Sequence, residues 1–314
     1  MATLYLDQRN LRLQIDGKAL AIYHHDGTKL RSIPLALLRR VILFSNIGLD
    51  SRVMGALAEA DISLVNCNAR NPDRWSMLVG PAHNDAEIRL RQYRKLCDPD
   101  WRLAISRILI GIKLKRYYRF FRRVLRQRPD IRLQVTKTLE TLNQCSDKVM
   151  KATSLDQLRG IEGGAARACF TAYVSLMPKS LGFTGRKRRP PPDPVNALLS
   201  LTYTLLHSRA QQTLYSAGLD PALGLIHQTQ FGRASLAADL VELWRAQADQ
   251  WVWRLIANRT LRAEHFRLDK GACLLDKAGR QHYYQHFESW TPGLERAMRI
   301  QVRQLINLLQ DDAI

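Results

Sequence analysis

The sequence predicts an α+β protein in which a small β-rich domain, residues 1–84, precedes a larger all-α domain, residues 85–314. Up to Gly80-Pro81 the chain contains short β-favouring runs separated by turn signals, which are typical of strands. From Asp85 onward apolar residues recur mostly at helical spacing. The length of 314 residues also suits two domains.

Turn signals divide the N-terminal part into short segments. Asp-Gly pairs stand at 16–17 and 26–27, and Asp-Gly between β-favouring runs is a strong hairpin signal. The stretch 51–60 is apolar at helical spacing and predicts one short helix between two buried strands. The predicted strands are 4–6, 11–15, 20–23, 41–44 and 62–65.

The C-terminal part is predicted to be a series of amphipathic helices. A basic, proline-rich insert, Arg186–Pro192, interrupts them and cannot lie inside a helix, because proline lacks the backbone N–H that a helix needs. The first helical region starts at Asp85, and the further predicted helices are 132–146, 154–177, 194–217, 234–258 and 291–309.

The chain is strongly basic, with 48 Lys and Arg against 28 Asp and Glu and a formal net charge of +20. Such a charge favours a polyanionic partner, first of all nucleic acid; an anionic membrane and a merely basic soluble enzyme remain alternatives. Residues 87–128 alone contain fourteen Lys or Arg and three acids. Within this segment Lys115, Arg119, Arg122 and Arg126 share one helical face and could bind DNA phosphates. The alternative is an ordinary solvated helix face with buried aromatic residues.

The five cysteines are scattered and form no C-x-x-C pair, so neither a disulfide framework nor a zinc site is predicted. Free thiols fit a reducing compartment. The N-terminus does not resemble a secretory signal, and no apolar run approaches the ~20 residues needed to cross a bilayer. These features predict a cytoplasmic protein.

Carboxylates and one imidazole mark three segments of the helical part. Glu162 lies among small residues, His227 follows an apolar stretch, and Asp239 and Glu242 are three residues apart on one predicted helix. Taken singly, each has an ordinary explanation: a surface Glu beside packing glycines, a hydrogen-bonded core His, two solvated acids. Together they suit Mn²⁺ or Mg²⁺ and indicate metal-assisted phosphoryl transfer on nucleic acid.

The same segments resemble the CRISPR-associated integrase family. The likeness extends to parts of the N-terminal domain, including Ile33-Pro34-Leu35 and Gly80. Departures from the common pattern are Ile226, Trp244 and Ala246, none of which is a candidate ligand. The matching motifs are Glu162-Gly163 followed by Ala166, Asp193 to Leu199, Gly218 to Pro221 with His227, and Gly232-Arg233 followed by Ser235, Asp239, Glu242 and Arg245.

This resemblance implies a DNA integrase that joins the 3′-hydroxyl ends of captured fragments to a CRISPR array. It implies that Glu162, His227 and Glu242 hold Mn²⁺ or Mg²⁺, with Asp239 as an adjacent acid that assists or shapes the metal site. It also implies a homodimer, two of which are bridged by the small second CRISPR-associated protein on double-stranded DNA. Arg167 could lie near the metal or on the helix surface. The expected phosphate contacts are Lys115, Arg116, Arg119, Arg122, Arg123, Arg126, Arg186, Arg188, Arg189, Arg233 and Arg245.

Three other functions fit the same residues. A structure-selective endonuclease for branched DNA would use the same metal with water as the nucleophile. A non-enzymatic DNA-binding scaffold would need no metal. A transposon-borne integrase would act on its own DNA ends.

Overall fold

The computed structural model describes residues 2–67, 75–78, 80, 85–187, 190–228, 230 and 232–311. The chain divides into two compact units, residues 1–84 with 215–218, and residues 85–214 with 219–314. The first contains strands and a short helix, and the second is mainly helical. The predicted α+β class is therefore confirmed.

The described residues of the first unit form two four-stranded sheets, one in the order β1-β5-β7-β8 and the other in the order β4-β3-β2-β6. Strands β1, β5 and β7 are parallel, whereas β2 and β3 form an antiparallel hairpin. The hairpin turns at Gly17, whose φ of +58° favours glycine. The elements are β1 (Ala2–Leu6), β2 (Leu11–Asp16), β3 (Ala19–His24), β4 (Lys29–Pro34), β5 (Leu38–Leu43), β6 (Gly48–Leu49), α1 (Ser51–Glu59), β7 (Ser63–Cys67) and β8 (Trp75–Leu78).

Apolar side chains from both sheets and α1 form the core of this unit. Leu13, Leu20, Val53 and Leu57 are completely buried within it. Asp50 caps α1, because its carboxylate accepts a hydrogen bond from the Val53 backbone N–H. The hairpin predicted at Asp16-Gly17 and the predicted short helix are confirmed. The turn signal at Asp26-Gly27 also lies in a hairpin, but its second strand, β4, was not among the predicted strands.

The second unit is built mainly from helices. Asp98 ends α2 and caps α3, and Pro99 follows at the first position of α3, where a proline is tolerated. The elements are α2 (Ala86–Cys97), α3 (Pro99–Gln127), α4 (Arg132–Lys151), α5 (Leu155–Leu176), α6 (Pro194–Ser216), α7 (Ser235–Glu242), α8 (Arg245–Ala257), β9 (Phe266–Asp269), β10 (Ala272–Leu275) and α9 (Lys277–Gln310).

The structure corrects two of the predicted helices in this unit and adds a hairpin. The helix predicted at 234–258 is two helices, because the chain breaks at Leu243-Trp244. The helix predicted at 291–309 starts earlier, at Lys277, and continues through Pro292. A two-stranded antiparallel hairpin, β9 with β10, lies where the sequence predicted no strand.

The described helices include none that is long and apolar enough to cross a membrane. All five cysteines, each within the described part of the chain, are free thiols. Four of them are buried, and Cys97 at the end of α2 is exposed.

Candidate active site

The 18-residue segment between α6 and α7 carries His227, and its close packing near this residue depends on Gly224. A Cβ atom at position 224 would lie 2.5 Å from the His227 carbonyl oxygen and 2.7 Å from Ser235 Cβ. It would also lie 3.1 Å from an Asp239 carboxylate oxygen. The glycine therefore allows the loop to pack directly against the start of α7.

Asp239 holds this loop from α7. Its side chain is completely buried, and one carboxylate oxygen accepts hydrogen bonds from the backbone N–H groups of Leu225, at 2.6 Å, and Ile226, at 3.1 Å. The other oxygen lies 2.6 Å from His227 Nδ1 and 3.3 Å from its backbone nitrogen. A carboxylate on Nδ1 keeps the proton there, so that Nε2 is the ring nitrogen that can bind a metal.

Two arginines fix the carbonyl groups of the same loop. Arg102 on α3 donates from Nε to the Leu225 carbonyl oxygen at 2.7 Å. Arg159 on α5 donates from Nε and a terminal nitrogen to the Ile226 carbonyl oxygen, at 3.0 and 2.8 Å. The position of His227 thus depends on three helices. Neither arginine is recognisable from the sequence, because the acceptors are backbone groups distant in the chain.

A buried lysine lies between the two predicted glutamate ligands. Lys113 on α3 donates from Nζ to Glu162 on α5, and the same Nζ lies 2.6 Å from a carboxylate oxygen of Glu242, the last residue of α7. The other Glu242 oxygen lies 3.2 Å from Arg245 Nε. The carboxylates are thus held by cations from α3 and α8.

These neighbours control the charge of Lys113 and Glu242. Burial lowers the pKa of Lys113, but the carboxylates of Glu242 and Glu162 act in the opposite direction, and the net pKa is raised. Burial raises the pKa of Glu242, but the charges of Arg245 and Lys113 outweigh it and bring that pKa to about 2. Both groups are therefore charged at neutral pH.

The three predicted ligands line one cavity of about 420 Å³. Glu162, His227 and Glu242 share this lining with Lys113, Arg159 and Arg233. Asp239 is not part of the lining, and its two oxygens are occupied by the His227 loop. Its position therefore favours the shaping role that the sequence left open over direct metal binding.

The donor set fits a hard divalent cation. Two carboxylates and one imidazole nitrogen are ligands that suit Mn²⁺ or Mg²⁺, and both carboxylates already surround a positive charge. In the described part of the chain, no three His, Cys, Asp or Glu side chains are close enough together to hold an ion. Side-chain movement would be needed for Glu162, His227 and Glu242 to converge.

Residues 4–289 match the model of the CRISPR-associated protein Cas1. The chain belongs to the Cas1 family. It is 34% identical over 294 residues to a CRISPR-associated endonuclease Cas1 of Thermodesulfovibrio yellowstonii, covering 92% of this chain and 91% of the relative. The predicted family is confirmed, and with it the general class of CRISPR-associated endonucleases and integrases.

Solved structures share the fold. A Cas1 protein from Thermotoga maritima has a TM-score of 0.84 and 20% identity, covering 100% of this chain and 98% of that one. A casposase bound to integration product has a TM-score of 0.84 and 19% identity, and the match covers 100% of this chain and 92% of the casposase chain. The Cas1-containing chain of a Cas6-RT-Cas1–Cas2 complex has a TM-score of 0.82 and 26% identity, covering 98% of this chain and 35% of its own length.

The basic residues of this Cas1 family member fall into two groups. The first group is exposed. Most of its members lie on α3 with the spacing that the sequence predicted, and Arg233 is exposed at the cavity. Tyr117, Phe120 and Phe121 are buried behind it. Arg167 is exposed on α5. The exposed members on α3 are Lys115, Arg119, Arg122, Arg123 and Arg126.

The second group is bound inside the protein. Arg116 donates to the Leu243 carbonyl oxygen at the α7–α8 break and stacks 3.9 Å above the Trp244 ring. Arg186 donates to Asn196 Oδ1 and Ser200 Oγ, both at 3.0 Å. Arg245 contacts Glu242 and, like Arg186, lies over the ring of Tyr203. These contacts favour a structural role for Arg116, Arg186 and Arg245. Arg188 and Arg189 lie outside the described residues.

The Asp193–Leu199 motif also has a structural explanation. Asp193 accepts a hydrogen bond from the Asn196 backbone N–H at 2.9 Å and so caps α6, which starts at Pro194. The Asn196 side chain donates to the Gly185 carbonyl oxygen at 2.9 Å and accepts from the Lys187 backbone N–H at 2.8 Å. The motif therefore anchors the beginning of the basic insert to α6.

Proposed function

We propose that this Cas1 family member is a metal-dependent DNA integrase that joins captured DNA fragments to a CRISPR array through their 3′-hydroxyl ends. The observation that carries the proposal is the cavity that Glu162, His227 and Glu242 line together. The buried carboxylate of Asp239, outside the lining, fixes the imidazole. The surplus of positive charge supports a nucleic-acid substrate.

In this proposal the two glutamates and Nε2 of His227 hold Mn²⁺ or Mg²⁺. The bound ion would lower the pKa of the attacking hydroxyl and stabilise charge on the phosphodiester. Asp239 keeps the His227 proton on Nδ1, and Arg102 and Arg159 keep the loop in position. Arg233, exposed at the cavity, would bind a DNA phosphate near the reacting bond.

The proposed assembly is a homodimer that works with Cas2, the small second CRISPR-associated protein, on double-stranded DNA. Support comes from the structurally similar Cas1 part of a Cas6-RT-Cas1–Cas2 complex. A fragment has two ends to be joined, and the chain carries one candidate ligand set among its described residues. Two copies would therefore supply two active sites.

An endonuclease with water as the nucleophile would use the same ligand set, and the curated relative is named an endonuclease. A transposon-type integrase is the other alternative, since the casposase with the same fold is bound to integration product. Neither alternative changes the metal ligands. The products formed from DNA distinguish the endonuclease from the proposed integrase. The sequence of the preferred DNA ends distinguishes the transposon-type integrase from the proposed one.

The deciding experiment incubates a 3′-hydroxyl duplex with a supercoiled repeat plasmid and Mn²⁺ or Mg²⁺, with and without Cas2. We expect joined product with the wild-type protein and none with Glu162→Ala, His227→Ala or Glu242→Gln. DNA affinity should stay within about twofold for Glu242→Gln, because the substitution preserves shape and adds no repulsion. The matched control is Glu140→Gln on the exposed surface of α4.

The outcomes are distinct. Cutting without joining would support the endonuclease. Joining that prefers terminal inverted repeats to the CRISPR repeat would support the transposon-type integrase. DNA binding without any reaction would support the scaffold, and full joining by Glu162→Ala and His227→Ala would remove the cavity from the chemistry.

A further inference from the structure

Lys113 occupies a position that the proposed chemistry does not use. Its side chain is 4% exposed, and its ammonium group contacts Glu162 and Glu242, the two carboxylates proposed as metal ligands. We propose that Lys113 is an internal counter-ion that takes the place of the divalent cation in the metal-free protein and leaves at least one carboxylate when the metal binds. This inference rests on the proposed function, because it assumes that these carboxylates are the metal ligands.

The first argument is the cost of burying the carboxylates. Glu242 is 9% exposed, and a buried carboxylate is stable only when it is paired. Lys113 supplies part of that pairing from a buried position on α3, next to the buried residues Ile110 and Leu114. One ammonium group therefore connects α3 with α5 and α7 at the point where the metal ligands should converge.

The second argument is the balance of charge. Without metal, the two negative charges of Glu162 and Glu242 face the two positive charges of Lys113 and Arg245. A divalent ion would bring the local positive charge to four against two negative charges, and like charges at contact distance repel strongly in a buried site. Entry of the ion is therefore favoured when one of the two cations moves away.

The third argument identifies which cation moves. Arg245 contacts Glu242 and lies 4.5 Å from the centre of the Tyr203 ring, so its planar group is held on two sides. Lys113 carries its charge on a flexible four-carbon stem that can turn without movement of the helix. It also lines the cavity, which gives the ammonium group space to withdraw. Among the described residues, no three His, Cys, Asp or Glu side chains are placed to hold a metal ion. This agrees with carboxylates that are paired with the Lys113 ammonium group.

The test compares Lys113→Met with wild type by thermal unfolding and by calorimetric titration with Mn²⁺. We expect a lower unfolding midpoint for metal-free Lys113→Met, because two carboxylates are deprived of a partner. We expect its Kd for Mn²⁺ to be at least about tenfold lower, because the carboxylates no longer have to be released before they can bind. Mn²⁺ should also raise the unfolding midpoint of Lys113→Met more than that of wild type.

The matched control is Lys115→Met, which removes the same charge from an exposed position of the same helix. It should change neither the midpoint nor Mn²⁺ binding. The proposal is overturned if Lys113→Met binds Mn²⁺ no more tightly than wild type or if its metal-free midpoint is unchanged. Wild type and Glu162→Ala provide the separate check on the proposed function. Equal Mn²⁺ binding by these two proteins would remove the metal site itself, whatever Lys113 does.

A second measurement does not depend on the folding of Lys113→Met. Protein labelled with ¹⁵N-lysine is titrated with Mg²⁺ while the side-chain ammonium signals are followed by NMR. The Lys113 signal is assigned by its absence in Lys113→Arg, which keeps the positive charge. We expect this signal to shift or broaden over the Mg²⁺ range in which the protein binds the ion. A Lys113 signal that stays unchanged at saturation overturns the proposal.

Discussion

Asp239 determines what His227 can do. Its completely buried carboxylate accepts hydrogen bonds from three loop N–H groups and contacts Nδ1 of the imidazole. A carboxylate accepts at both oxygens, whereas an asparagine would direct an NH₂ group towards donors on one side. The identity of residue 239 therefore affects both the loop and the ring nitrogen available to a metal.

For Asp239→Asn we expect the affinity for Mn²⁺ to fall by about 10- to 100-fold, as is usual when the partner of a metal-binding histidine is removed. Stability should fall by about 1–3 kcal/mol, because a buried donor is left without its acceptor. Calorimetry and denaturant unfolding measure the two effects. Asp147→Asn, on the exposed surface of α4, is the control, and equal Mn²⁺ affinity in both variants would contradict this role for Asp239.

The sequence was sufficient to nominate the acidic residues and the histidine, but not the groups that hold them. Glu162, His227, Asp239 and Glu242 belong to motifs with recognisable spacing. The partner of Lys113 is 49 residues away at Glu162. Helical spacing places Lys113 on the buried face of α3 and Lys115 on the exposed face, but it does not show that carboxylates from α5 and α7 contact Lys113. That contact depends on how the helices pack.

At the level of elements, the loop that carries His227 depends on close packing against α7. Gly224→Ala would place a methyl group 2.5 Å from the His227 carbonyl oxygen, so the loop must move. We expect weaker Mn²⁺ binding and a decrease of about 1–3 kcal/mol in stability from overpacking. The measurements are Mn²⁺ titration and thermal unfolding.

The control for this substitution is Gly55→Ala in α1, where an added Cβ meets nothing within 4 Å. Alanine is the better helix former, so Gly55→Ala should stabilise the protein by about 0.5–1 kcal/mol without changing metal affinity. Unchanged Mn²⁺ binding in Gly224→Ala would show that the loop adapts to a side chain at this position.

Element boundaries show where local pattern is informative and where it is not. Asp98-Pro99 separates α2 from α3 by a cap and a proline, which a sequence displays. The break at Leu243-Trp244 has neither signal, because both residues are apolar and continue the pattern of a single helix. Strand β4 was not predicted because its sequence lacks an alternating apolar face. The strand lies at a sheet edge and is mostly exposed, so such a face is not required.

A net charge of +20 favours a polyanionic partner such as DNA, but it does not specify where that partner would bind. The triple substitution Arg119→Gln, Arg122→Gln and Arg126→Gln removes three exposed charges from α3. If these side chains bind phosphates, DNA binding should weaken and the slope of log affinity against log salt should decrease by about 0.9 for each phosphate that is no longer neutralised. Fluorescence anisotropy at several salt concentrations measures the slope.

An equal change of net charge elsewhere is the proper comparison. Arg296, Arg299 and Arg303 are exposed on α9, and their replacement by glutamine also removes three charges. This control should lower the long-range attraction without reducing the salt slope to the same extent. Equal slopes for the two triple variants would indicate that the α3 residues act only through the overall field.

Cys97 has a practical consequence for such measurements. It is the exposed cysteine at the end of α2, the other four are buried, and it lines a second cavity that shares Asp156, Arg159 and Gln228 with the first. A maleimide dye should therefore react selectively with the native sequence beside the proposed reaction centre. Ligand-induced changes near Arg159 could then be followed by fluorescence, with no engineered attachment point.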